Sequence, residues 1–155
     1  MVEPSENQVY APKCLYAATG IKDVTMRAWK SRRLTAPVEI FATGKRSLYS
    51  FVEVVLFMMA KRLIDGGTEA SEALRVAGAC TDEIRIMLSR KSPRDHWIII
   101  GQREGSNNLG QIIAVSSPDH IAKYVTDEPV SIVLNLGALC RETRKRLEAL
   151  GDDIQ

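Results

Sequence analysis

The prevailing hydrophobic pattern of this chain changes at Ser92-Pro93, from helical runs to strand-like ones, and that change limits the fold more than any single motif. Upstream of it, apolar residues recur at the three-to-four spacing of helices, with Gly and Pro at the breaks. Downstream, the β-branched runs His96 to Gln102 and Leu109 to Val115 flank Glu-Gly-Ser-Asn-Asn, a turn-rich connector that predicts a hairpin. A chain of 155 residues with 45% hydrophobic content can pack one medium domain or two small ones. The expectation is an α+β protein, with a helical domain over residues 10–92 and a small ββαβα module over residues 93–155.

Local signals set the expected elements. Residues 1 to 9 are polar and read as a frayed end. Pro12 suits the first position of a helix that runs to a turn at Gly20. Asp23 is the expected cap of a second helix, and Leu34-Thr-Ala-Pro37 breaks the pattern after it. Val38 to Leu48 alternates around Thr43-Gly44-Lys45-Arg46, as a small hairpin would. Ser50 with Glu53 forms a capping-box signature for an apolar helix to Ile64, which Asp65-Gly66-Gly67 ends. Further helices are expected over Glu69 to Ala77 and Thr81 to Ser89, the latter capped by Thr81. In the module, Ser117-Pro118 opens a helix to Val125, Pro129 to Leu136 reads as a strand and Ala138 to Leu150 as a final amphipathic helix.

Charge is unevenly spread along this frame. Residues 20 to 46 carry seven basic side chains against two acidic ones, whereas residues 92 to 155 carry seven against nine. The basic excess centres on Gly20 to Leu34, where Lys22, Arg27, Lys30, Arg32 and Arg33 accompany Thr25 and Trp29. Cations can neutralise phosphates at the flank of a DNA groove, and a hydroxyl can reach a base edge or a phosphate. A turn glycine followed by a short basic helix is the second half of a helix-turn-helix. Trp29 suits either phosphate contact or a cap on the helical core, and Tyr49 either DNA contact or packing of the hairpin.

Three ordered blocks carry a family resemblance. They are Gly20-Ile21-x-x-x-Thr25-Met26-Arg27-x-Trp29-Lys30, then Gly44-Lys45-Arg46-x-x-Tyr49-Ser50, then Lys61-Arg62-Leu63-x-Asp65-x-Gly67. In order and spacing they resemble the MerR-type winged helix-turn-helix over about residues 12 to 77. The resemblance implies a recognition helix in the major groove, a wing on the flanking backbone and a dimer on a pseudo-palindromic site. It places Thr25, Arg27 and Trp29 where the family contacts DNA, Arg46 at the basic wing tip and Tyr49 on the aromatic that closes the wing. Arg33 stands where the family usually carries a glycine. With Lys22, Lys30, Arg32, Arg33 and Lys45, these residues form the expected DNA-binding set.

In the last helix, Leu136, Cys140, Thr143, Leu147 and Leu150 follow a four-three-four-three spacing, which suits packing on the module's own sheet or a dimer interface. Cys14, Cys80 and Cys140 are far apart and lack the spacing of a metal site, so reduced thiols and no metal are expected. His96 and His120 stand outside any nucleophile arrangement, and Gly101, Gly105 and Gly110 match no phosphate-loop spacing. The expectation is therefore no enzyme, no catalytic residue and no cofactor. No apolar run is long enough to span a membrane and no leader-like layout opens the chain, which predicts a cytoplasmic location. The functional expectation is a bacterial or phage-like transcriptional regulator that binds double-stranded DNA as a homodimer. The alternatives are a DNA-architectural accessory factor of excision or packaging type, or a protein-interaction adaptor without DNA binding. The C-terminal module could take a small-molecule or protein partner.

Overall fold

A computed structural model describes residues 8–39, 48–89, 95–102, 109–125 and 131–151. The chain is a mixed helix and sheet protein with two small antiparallel sheets. Two compact units divide it: residues 1–81 with 141–155, and residues 82–140. The division therefore falls eleven residues before the Ser92-Pro93 boundary expected from the change of period, and the end of the chain returns to the first unit. None of the helices among the described residues is long and apolar enough to cross a membrane.

The first unit is built around α3 (Phe51–Asp65). Seven consecutive residues, Val54 to Ala60, are buried, so this helix is apolar on every side and lies at the centre of its unit. The capping box at its start is complete: the Glu53 N–H donates to Ser50 Oγ at 3.2 Å and the Ser50 N–H to Glu53 Oε2 at 2.7 Å. It ends at Gly66, followed by Gly67 at φ 101°, which suits glycine. Helices α1 (Pro12–Thr19) and α4 (Ala70–Ala79) pack on it. Thus Pro12 and Gly20 bound α1, as their conformational preferences predict.

Two further elements complete this unit through contacts between residues far apart in the chain. The first is β1 (Val9–Tyr10), which pairs antiparallel with β2 (Tyr49–Ser50) and takes up Val9, the last residue read as a frayed end. The second is the C-terminal part of α7 (Leu136–Ala149). From it, the Arg146 guanidinium donates to the Ala18 carbonyl at 3.0 Å. Arg62 and Arg146 share the Glu142 carboxylate at 2.5 and 2.6 Å, and Arg144 sits over the Phe51 ring at 5.5 Å.

The second unit holds most of α5 (Thr81–Leu88), then β3 (Trp97–Gln102), β4 (Leu109–Val115), α6 (Pro118–Val125), β5 (Ser131–Asn135) and the start of α7. The order ββαβα is the expected one. The sheet order is β4-β3-β5, with Ile100 opposite both Ile112 and Ile132. Ile98, Ile99 and Ile100 are all buried, as the unbroken apolar run of a central strand requires. Helix α7 follows β5 without a loop: it starts at Leu136 rather than Ala138, because the Asn135 side chain accepts the Ala138 N–H at 2.9 Å. Thr81 does not act as the expected cap; its hydroxyl donates back to the Gly78 carbonyl at 2.6 Å.

Candidate nucleic-acid interface

The connection between α1 and α2 (Asp23–Ser31) is held by a buried threonine. Thr19 Oγ1 donates to the Leu15 carbonyl at 2.8 Å and accepts the Ile21 N–H at 3.2 Å, so both hydrogen-bonding roles of the hydroxyl are used. Gly20 takes φ 75°, where a side chain would be strained, and its N–H closes on Tyr16. Ile21 is buried as the anchor of the turn. The cap of α2 is Lys22, with no side-chain bond, while Asp23 occupies the first helical turn. The expected Asp23 cap is thus corrected: its carboxylate instead pairs with Arg27 one turn on, at 2.5 Å.

At 100° per residue, Met26 and Trp29 share the underside of α2. They are 0% and 8% exposed. The opposite face carries Val24, Arg27, Ala28 and Ser31. Val24 is 65% exposed, an unusual cost for a β-branched residue on a short helix. Neither Val24 nor Ser31 was singled out from the sequence; locating the buried pair first would have found both. Thr25, half-buried, flanks a hollow of about 320 Å³ lined also by Ile21, Lys22, Trp29, Lys61 and Ile64.

The expected DNA-binding residues divide into three groups. Lys22, Arg27, Arg32 and Arg33 are exposed, and Thr25 and Lys30 are half-buried. Trp29 and Tyr49 are buried, Tyr49 at 2%, because their rings complete the unit's apolar packing; Tyr49 meets Phe57 edge to face at 5.8 Å. Lys45 and Arg46, with the rest of the expected wing tip, lie outside the described residues.

Lys30 is engaged from two sides. Its ammonium lies 3.2 Å from Glu39 and 5.1 Å from the centroid of the Tyr49 ring. Burial works against its charge, but Tyr49 and Glu39 more than offset this, and its pKa is raised. Tyr16 is also raised, by burial first and then by Tyr49 and by Asp23, which is hydrogen-bonded to it. Beyond α2, the chain reverses through Arg33 at φ 58°. The Arg33 N–H bonds the Lys30 carbonyl and the Leu34 N–H the Trp29 carbonyl, each at 2.9 Å. This is the left-handed helix end that glycine usually makes, here made by arginine.

The five residues of the α7 seam are not a free surface. Leu136, Cys140, Thr143 and Leu147 are buried and Leu150 is half-buried. All three cysteines are free and buried, and no cluster of metal-ligating side chains occurs among the described residues. In the second unit, His96 is buried with its Nε2 3.2 Å from Glu83, and its carbonyl accepts the Leu136 N–H at 2.7 Å. Neither a protein-family model nor a curated protein matches this chain.

Proposed function

We propose that this protein binds duplex DNA through its first unit as a winged helix-turn-helix of MerR type and regulates transcription. The observation that carries the reading is the division of α2: an apolar underside of Met26 and Trp29 fixed to the core, and an outer face on which Val24, Arg27 and Ser31 stand clear of it. A helix so mounted can enter a major groove, with Arg27 suited to guanine edges and Val24 to a thymine methyl group. Lys22, Arg32 and Arg33, exposed at its two ends, suit phosphates on either side of the groove. The wing expected over Val38 to Leu48, whose Lys45 and Arg46 lie outside the described residues, would extend the phosphate contacts. A homodimer would set two such helices on the half-sites of a pseudo-palindromic site.

The test is binding of the purified protein to fragmented genomic DNA, with bound fragments sequenced and affinity followed against salt. A few shared promoter-proximal sites are expected, with a log–log salt slope that falls by about 1 for each phosphate contact removed, as in Arg32→Ala and Arg33→Ala. Arg27→Ala should instead relax base preference at one position in each half-site. No enrichment over random DNA would refute the reading, and enrichment at sites remote from promoters with bending of the duplex would replace it with the architectural one.

A further inference from the structure

Helix α2 neutralises part of its own positive charge. Asp23 reaches Arg27 at 2.5 Å, and Glu39, brought back by the reversal after Arg33, reaches Lys30 at 3.2 Å. Neither acid is left to swing freely. Asp23 is also hydrogen-bonded to Tyr16, and Glu39 Oε2 accepts the Thr35 hydroxyl at 3.0 Å while its N–H bonds the Thr35 carbonyl. Thr35 itself is 2% exposed, so the carboxylate is fixed to the core of the unit. In contrast, among the described residues no carboxylate lies within ion-pair distance of Lys22, Arg32 or Arg33. Arg27 and Lys30, within the helix, are therefore matched by acids, and among the described residues Lys22, Arg32 and Arg33, just outside it, are not.

A matched pair responds differently to two kinds of ligand. A phosphate approaching Arg27 or Lys30 must displace a carboxylate that already holds the cation and must also approach that carboxylate's own charge. A base edge offers neutral acceptors, which an arginine can engage while keeping its carboxylate partner, because the guanidinium has five donors. From this geometry we infer that Asp23 and Glu39 are specificity-determining residues, which hold down the affinity of α2 for DNA backbone in general and reserve Arg27 for base contact. The inference rests on the DNA-binding reading and adds to it a role for two acids of the same chain.

The experiment compares the wild type with Asp23→Asn, Glu39→Gln and the double variant. Amide replacements keep the shape and the hydrogen-bond acceptors toward Tyr16 and Thr35 while removing the charge; circular dichroism and thermal unfolding check that each variant is folded. Three readouts are used: affinity for a random-sequence 30-base-pair duplex against salt, the salt needed for elution from heparin, and affinity for a duplex selected by the wild type from a random library. Each single variant is expected to bind the random duplex about two- to five-fold more tightly at low salt, the size of effect one exposed ion pair can exert. The double variant should steepen the log–log salt slope by about 1 to 2, one phosphate's worth of counterions for each cation released. Affinity for the selected duplex should rise less, so the ratio of selected to random binding falls. Unchanged or weaker binding of the random duplex by both folded single variants would overturn the inference while leaving the DNA-binding reading in place. Should all four chains, wild type included, ignore both duplexes and heparin at low salt, the inference and the reading fail together. Glu39→Gln alone guards against Asp23→Asn acting by weakening the first turn of α2.

Discussion

Replacing Gly78 with alanine is expected to destabilise the first unit, although alanine is the better helix former. Gly78 lies in the last turn of α4, and a Cβ built on it would sit 2.4 Å from the Pro37 carbonyl oxygen, 2.7 Å from Pro37 Cβ and 2.8 Å from Pro37 C. Relief to an ordinary contact distance needs a displacement of about 1 Å. The obstacle is backbone on a rigid ring, and the segment is tied down: the Val38 and Glu39 N–H groups both bond the Thr35 carbonyl at 3.0 Å, and Val38 is wholly buried. Overpacking of this kind costs about 1–3 kcal/mol, and the helix-propensity gain of at most ~1 kcal/mol opposes it. With both neighbours fixed, the upper part of the range applies, which leaves a net loss of about 1–2 kcal/mol. The chain has two tryptophans, Trp29 in the first unit and Trp97 in the second. Urea unfolding followed by fluorescence in a Trp97→Phe background therefore reports the unit that contains Gly78. Ala79→Gly, at the exposed neighbouring position, measures the propensity term on the same helix. A Gly78→Ala protein as stable as the parent, or more stable, would refute the argument that α4 needs a glycine to pass under Pro37.

Three other expectations follow from the same structure. Ser50→Ala removes the hydroxyl that accepts the Glu53 N–H and should cost about 1 kcal/mol in urea unfolding; a change under ~0.3 kcal/mol would show that the capping box is dispensable. Arg33→Gly relieves a left-handed residue and should stabilise the first unit by about 1 kcal/mol while weakening DNA binding, so equal affinity in a stabilised variant would remove Arg33 from the interface. Lys30, Tyr10 and Tyr16 all have raised pKa values. The unfolded chain thus loses these protons first, and their contribution is present below the ordinary values of about 10 and is lost as pH rises through the folded ones. Melting temperature should hold through pH 9 and fall above about pH 10, less steeply in Tyr16→Phe; a melting temperature that held or rose there would contradict the assignment.

What could be read from residues alone was local. Pro12, Gly20, Ser50 with Glu53 and Gly66-Gly67 each act through the backbone of their immediate neighbours, and each stands where those preferences place it. Non-local pairings were not legible. Val9 and Tyr10 form a strand two residues long, which has no periodicity to detect and exists only because Tyr49 and Ser50 are beside it. Asp23 resembled a cap because its residue type suits one, but the carboxylate had a better partner in Arg27. Tyr49 and Trp29 were ambiguous for a different reason: an aromatic beside basic residues suits a core or a surface equally, and only burial separates the two. The seam of α7 repeated the ambiguity, since four-three spacing describes any buried helix face.

The return of residues 141–149 to the first unit bears on how the protein is made. Residues 82–140 are an insertion in the first unit as the ribosome emits it, because Arg146 must reach Ala18 and Glu142 must reach Arg62 before that unit is complete. At about 5–20 residues per second, the α1 to α4 segment waits roughly 3–12 s for its missing helix. During that interval Phe51 lacks the Arg144 that covers its ring, and the inserted unit has time to form its own sheet. A chain stopped short of residue 141 carries all of α2 and at most the first five residues of α7, so the contacts of Glu142, Arg144 and Arg146 within the first unit are still to be made.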